Sequence, residues 1–379
     1  MKADFEVAHV LKAHWPLVES HPNINGWQLR TLGALMRCRT SALGGHVDAC
    51  TSCGSIRVSY NSCRNRHCPK CQGKNREEWI TKRESELLPV PYFHVVFTLP
   101  DLLNELAMHQ PTHVYNSLFE AAWYTLKTFG NDPKHLGADT GMISILHTWG
   151  QTMTLHPHLH CVVPGGGLTK AGNWKKAKSK EKYLFPVKAM SKVFRAKYME
   201  ALKEKMPTLS KKLINNLFKK DWVVYAKRPF SHAGSVIEYL GRYTHKVAIS
   251  NHRIKSIENG NVSFEYKDYR EGATKKVMEL NGMEFIRRFA MHILPKGFTR
   301  IRHYGILSST CKLNAIAQIR AQLPAVYLPE KTASAIAYDS LTCPCCKTQT
   351  MVTIEVWLRG PPTYLPRLLW GNPNKEIKE

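Results

Sequence analysis

The sequence has no long apolar run: nowhere in its 379 residues is there the stretch of about eighteen apolar residues that a helix needs to cross a bilayer. Its opening, MKADFEVAHVLKAHWPLVES, mixes charge with apolar residues at helical spacing and lacks the apolar block of a secretory signal. Acidic residues are scarce, with 29 Asp plus Glu against 54 Lys plus Arg and a net charge of +25. That balance calls for a polyanion, either nucleic acid or an anionic membrane surface. With neither span nor leader, the expectation is a cytoplasmic protein whose partner is nucleic acid and not a membrane. No GxxxxGK[ST] loop occurs, so any unwinding motor, such as a host helicase, must be a separate protein. Internal repeats are also lacking. An apolar content of 43% is that of a globular chain, and the length allows two or three domains.

Periodicity gives a coarse outline. Val7, Val10, Leu11 and Trp15 share a helical face within residues 1–45. YFHVVFTLP (92–100) reads as a strand closed by Pro100, and Asp101 can cap the helical stretch that follows, broken or kinked at Pro111. MISILHTWG (142–150) and TMTLHPHLHCVV (152–163) read as paired strands turning near Gly150. A lysine-rich interval precedes helices near 189–205 and 208–218; WVVYAKRPF (222–230) is a further strand, 233–246 a helix and 261–269 a strand. This order predicts an α+β fold, a largely antiparallel sheet with helices packed on it. Basic residues from Lys170 to Arg228 are candidates to line a single-strand channel, with Trp174, Tyr183 or Trp222 as base-stacking platforms or as core.

Eleven cysteines without a leader point to metal rather than disulfides. Cys50-x2-Cys53 and Cys68-x2-Cys71 are two knuckles whose four thiolates suit one tetrahedral Zn²⁺. Cys63 and His67 lie in the same stretch and could replace a ligand or help to hold a second ion. Arg64, Arg66 and Lys70 rim the knuckles, as DNA-contacting residues would. Cys343 and Cys346 of CPCC supply half a further site, with Cys311 and His303 as candidates to complete it.

LHPHLHCVVPGGG places His156, His158 and His160 on one face of a strand. His158 and His160 can hold a divalent ion and leave positions open for substrate oxygens. The third ligand is read as His147 on the preceding strand, with Gln151 and His156 as rivals. EYLGRYTHK adds Tyr239 and Tyr243 at helical i, i+4 spacing, with Arg242, His245 and Lys246 beside them. Two aromatic core residues would look the same in isolation. Near a bound cation and basic groups, a phenol is instead a nucleophile for phosphodiesters, and two phenols allow two successive transfers.

Five stretches in order, SCRNRHCPKCQ, FTLP, LHTWGQTMTLHPHLHCVVPGGG, YLGRYTHKVAISNHRI and FIRRFAMHILPKGFTRIRHYG, span roughly residues 45–305. Together they resemble the insertion-sequence-91 type of rolling-circle transposases, two-tyrosine members of the His–hydrophobic–His (HUH) endonucleases. The resemblance implies an RRM-like antiparallel catalytic sheet, with His158 and His160 as metal ligands and Tyr239 and Tyr243 as nucleophiles. It also implies a structural Zn²⁺, a catalytic Mg²⁺ or Mn²⁺, and cleavage and joining of single-stranded DNA at transposon ends and target DNA. The related relaxases use a third histidine upstream of the pair, which supports His147. The implied division is a helical and zinc-binding DNA-recognition domain (1–88), a catalytic domain (89–305) with a basic helical insertion near 170–220, and a tail with a cysteine cluster (306–379). Beside this reading stand a non-catalytic zinc DNA-binding protein, which could form no tyrosine–DNA adduct, and two enzymatic alternatives. One is a relaxase or replication initiator using the same chemistry. The other is a histidine-triad nucleotide hydrolase, whose pattern HPHLHCVVP nearly fits.

Overall fold

A computed structural model describes residues 3–72, 77, 79–80, 82–83, 86–178, 184–226, 236, 241, 246–324 and 339–358. In chain order, its strands are β1 (Gly45–Cys50), β2 (Ile56–Tyr60), β3 (Tyr92–Thr98), β4 (Gly141–Trp149), β5 (Leu155–Pro164), β6 (Gly166–Leu168), β7 (Trp174–Lys176), β8 (Val224–Ala226), β9 (Ile254–Glu258), β10 (Asn261–Asp268), β11 (Thr274–Asn281), β12 (Ile301–Gly305) and β13 (Met351–Trp357). They fall into two units, Met1–Gln72 with Pro329–Glu379, and Gly73–Leu328.

Among its described residues, the first unit joins helices Val7–Ala13, Trp15–Glu19 and Gly26–Met36 to a small sheet. Helix Gly26–Met36 starts at a capping box: the Asn25 side chain accepts the Trp27 and Gln28 N–H groups, and Gln28 reaches back to the Asn25 N–H. That reciprocal satisfaction fixes its first turn. Val7, Val10, Leu11, Leu32 and Leu35 are buried. The sheet has the order β13-β1-β2 and is antiparallel, with Val47 opposite Val58 and Cys50 opposite Met351. Residues 306–379 are not set apart as a tail, because Met351–Trp357 lies along β1.

The second unit is organised by a five-stranded antiparallel sheet of order β12-β4-β5-β3-β8. Alternation gives the sheet two faces. Phe93, Val95, Phe97, Met142, Leu146, Leu159, Cys161 and Val163 point to one, where they pack with helices Pro111–Asn131 and Val187–Lys205. Burying a side chain of this size contributes about 1.5–3 kcal/mol, so this layer is the main stabilising core. Pro111 does break the helical stretch. Helix Asn104–His109 ends before it, and the next helix begins on Pro111, where the missing N–H costs nothing. The other face carries Tyr92, Ile143, Ile145 and Val162, which form a second cluster with Leu88, Val236 and Ile316. The imidazoles of β3, β4 and β5 belong to this second face.

A meander of β9, β10 and β11 follows, closed by helix Gly282–Ala290, with Phe264 and Phe285 packed edge to face at 5.8 Å. Only its middle strand is legible in the sequence. Trp222 belongs to the core: it is 4% exposed, packs against Phe194 and Tyr198, and donates Nε1–H to Leu217 O. It is therefore not a base-stacking platform. Trp174 is half-buried on β7, and Tyr183 lies outside the described residues. No helix among the described residues is long and apolar enough to cross a membrane.

Candidate functional site

The β4–β5 hairpin builds an imidazole centre. Register sets His147 directly opposite His158, and His160 lies one alternation further along the same face. One ring nitrogen from each of His147, His158 and His160 lies within 4.8 Å of the other two. His158 Nε2 and His160 Nε2 are 3.1 Å apart. Two imidazole nitrogens about 2.1 Å from one ion and at right angles would be about 3.0 Å apart, so the spacing suits shared coordination. The ladder slips between His147 and Trp149, a bulge of the kind that re-aims side chains at strand ends.

Tautomers are set from behind. His158 Nδ1 is 2.6 Å from the His156 carbonyl oxygen, so it carries the hydrogen and leaves Nε2 as the lone pair. His160 Nδ1 meets His94 Nε2 at 2.9 Å, with the two rings stacked at 14°. Burial pushes the His158 pKa down to about 4, and burial together with the neighbouring His158, His94, Lys246 and Arg300 holds His160 well below its usual range. At neutral pH these rings are uncharged and can act as ligands. The donor set therefore fits a divalent cation.

Neither rival for third ligand joins the cluster. Gln151 Oε1 accepts from Lys267 N at 3.4 Å, and His156 is exposed outside the three-ring cluster. Arg300 backs the centre. It is 9% exposed, its Nε donates to Leu146 O at 3.2 Å and its Nη2 to Lys246 O at 2.8 Å, and it lies over the Trp149 ring. His292 bridges Thr148 Oγ1 and Met153 O, both at 3.0 Å, and so pins the two ends of the hairpin turn. Tyr239, Tyr243 and Arg242 lie outside the described residues.

The cysteines form two clusters rather than one. Cys68 and Cys71 meet Cys38 and Cys63; Cys50 and Cys53 meet Cys343 and Cys346. The four thiols expected in a single site are thus divided between two, and each half is completed by residues outside its own knuckle. In the first cluster Sγ separations are 3.5 Å for Cys38–Cys71 and 3.7 Å for Cys63–Cys71. Tetrahedral zinc at about 2.3 Å from each sulfur would set its ligands about 3.8 Å apart. His67 is buried, Cys311 is exposed and His303 is half-buried, and all three lie outside both clusters. Cys38, His94 and Arg300 carry no spacing signal and were not singled out in the sequence. Of the expected DNA-contacting residues, Arg64 is exposed, Arg66 is half-buried, Lys70 pairs with Glu6 at 2.7 Å, and Lys246 is exposed beside the imidazole centre.

The strongly basic chain thus brings together a three-imidazole cluster on the β4–β5 hairpin and two clusters of four cysteines. Comparison with known proteins names the family. Residues 141–314 match the family model described as "Putative transposase", and residues 10–99 match "Transposase zinc-binding domain". The "Putative transposase y4qJ" of Sinorhizobium fredii is 42% identical over 94% of this chain and 97% of its own length. The "Transposase for insertion sequence element IS801" of Pseudomonas savastanoi pv. phaseolicola is 25% identical over 90% of this chain and 87% of its own. No solved structure matches. The chain belongs to the insertion-sequence-91 type of transposases, acts on DNA and carries their N-terminal zinc-binding domain.

Proposed function

We propose that this transposase cuts and rejoins single-stranded DNA at insertion-sequence ends by tyrosine attack, the rolling-circle mode. Tyr239 and Tyr243 are the nucleophiles, and His147, His158 and His160 hold Mg²⁺ or Mn²⁺. A phenolate oxygen attacks the scissile phosphorus, the P–O3′ bond breaks, and the 3′-oxygen leaves as a hydroxyl after taking a proton. The strand is left with a 5′-phosphotyrosine. Because one phosphoester replaces another, a later 3′-hydroxyl can reverse the step without ATP. The second tyrosine lets one end stay held while the next is cut. The ion would polarise a non-bridging phosphate oxygen. Arg300 and Lys246 add positive charge for the same phosphate, and Arg64, Arg66 and Arg242 are proposed as further DNA contacts. A host helicase supplies the single strand.

The observation that carries this reading is the convergence of three imidazole nitrogens on one hairpin face. Two neighbours of the tyrosine segment support it. Val236 is buried in the apolar cluster of that same face, and the Lys246 carbonyl is bonded to Arg300 behind the imidazoles. The test is incubation with Mg²⁺ and single-stranded element-end oligonucleotides, followed by a denaturing gel. A covalent protein–DNA band is expected from the wild type. It should vanish with a chelator and with Tyr239→Phe plus Tyr243→Phe. A band that survives the double substitution would refute the assignment of the nucleophiles. Cleavage that survives chelation would instead favour metal-free histidine chemistry.

A further inference from the structure

The two knuckles at the second cysteine cluster are built to one plan. The first is Cys50-Thr51-Ser52-Cys53-Gly54, between β1 and β2; the second is Cys343-Pro344-Cys345-Cys346-Lys347, shortly before β13. In each, the fifth residue has a left-handed backbone, Gly54 at φ 73° and Lys347 at φ 63°. In each, that residue's N–H donates to the first cysteine's carbonyl at 3.0 Å. A backbone N–H also points at the first cysteine's sulfur, Cys53 N to Cys50 Sγ and Cys345 N to Cys343 Sγ, both at 3.4 Å. The left-handed region is disfavoured for lysine, and here the turn is closed by the Lys347 N–H to Cys343 O bond and by Lys347 Nζ donating to Pro344 O at 2.7 Å.

The sulfurs pair across the knuckles. Cys50 Sγ lies 3.6 Å from Cys346 Sγ, and Cys53 Sγ lies 3.7 Å from Cys343 Sγ. A disulfide would need about 2.05 Å. Four sulfurs about 2.3 Å from a tetrahedral zinc would sit about 3.8 Å apart. Hydroxyls back the cluster, Thr350 Oγ1 at 3.1 Å from Cys50 Sγ and Thr348 Oγ1 at 2.9 Å from Cys346 Sγ. Each knuckle supplies only half of a ligand set, and the halves are about 290 residues apart in the chain. The region matched to the zinc-binding family ends at residue 99 and so reaches only two of the four.

We propose that Cys50, Cys53, Cys343 and Cys346 bind a second zinc ion, which clamps β13 against β1 and closes the chain into a ring. The Cys38, Cys63, Cys68 and Cys71 centre forms independently of it. Neither statement depends on how DNA is cut.

The test uses the full-length protein purified with zinc and counted by native mass spectrometry. Two ions per chain are expected once any zinc at the imidazole centre, which His158→Ala plus His160→Ala removes, is left out of the count. Cys343→Ser plus Cys346→Ser should leave one, as should Cys63→Ser plus Cys68→Ser. Hydrogen exchange then reads the clamp: amides of Met351–Trp357 should lose protection in the first variant, while those of Tyr92–Thr98 keep theirs and report intact folding. Should that variant fail to fold, iodoacetamide mapping of the wild type decides, since Cys343 and Cys346 should be blocked from alkylation until zinc is stripped. A single ion in the wild type, two ions in the first variant, or Cys343 and Cys346 alkylated with zinc present would overturn the site. One ion with unchanged protection of β13 would overturn the clamp.

Discussion

His94 is the most informative residue to change, because it touches a proposed ligand but not the ion. Its Nε2 is 2.9 Å from His160 Nδ1, and the side chain is 2% exposed. If His160 coordinates through Nε2, which faces His158 Nε2 at 3.1 Å, its Nδ1 must carry the proton and donate to His94. His94→Phe keeps a ring and removes the acceptor. A buried N–H left unpaired costs about 1–3 kcal/mol. Losing an outer partner of a ligating histidine typically weakens metal binding about 10–100-fold, or about 1.4–2.7 kcal/mol. The two routes agree, so Mn²⁺ affinity, read by electron paramagnetic resonance titration, should fall by about an order of magnitude or more. Single-turnover nicking should fall at limiting Mn²⁺ and recover at saturation. His94→Gln, which retains an acceptor, should restore much of the affinity. Affinity in His94→Phe within twofold of the wild type would refute the coordination through His160 Nε2.

Two stability measurements test the scaffold. His292 is buried between Thr148 and Met153, and burial pulls its pKa down to about 4. The unfolded chain takes up this proton near pH 6.5, so the stabilisation is complete above that and is lost as pH falls towards 4, a loss of up to about 3 kcal/mol. The urea midpoint should therefore drop between pH 7 and 4.5, and His292→Asn should flatten the drop; an unchanged slope counts against it. Phe97 is fully buried, with its ring 4.9 Å from that of Phe194, so Phe97→Ala should cost about 3–5 kcal/mol in urea unfolding. A cost under about 1 kcal/mol would mean that this face is not the stabilising core.

The legible parts of the site were those whose chemistry has short-range spacing. His158 and His160 announce a face because a strand has period two, and each CxxC announces a knuckle. What spacing could not say is which knuckles meet. Cys53 reaches Cys343 and not Cys68, a choice made by the pairing of β1 with β13 over a separation no local pattern encodes. His94 was hidden for a different reason: in YFHVVFT it looks like one polar residue in a core strand, and only the register of β3 on β5 brings it to His160. Arg300 was one arginine among many until its hydrogen bonds to Leu146 and Lys246 placed it behind the hairpin. In the fold, β4 and β5 were legible to within a few residues. β9 and β11 were not, because partly exposed strands rich in Lys and Glu lack a strong apolar alternation.

The imidazole centre has one more consequence. Its three proposed ligands are imidazoles, none of which can carry negative charge as a neutral ring or as a cation, and the charged groups acting on His160 are the cations Lys246 and Arg300. Such a centre offers a divalent ion lone pairs but no compensating negative charge, and nearby cations repel it. A phosphodiester supplies the missing anion. Ion and DNA should therefore bind with positive coupling, and by linkage each should raise the other's affinity by the same factor. A coupling of about 1–3 kcal/mol corresponds to about 5–150-fold. The Tyr239→Phe plus Tyr243→Phe protein allows the measurement without turnover: Mn²⁺ titrated with and without a single-stranded element-end oligonucleotide should show tighter binding in its presence. Equal affinities would mean that DNA and ion do not meet at these histidines, whatever the tyrosines do.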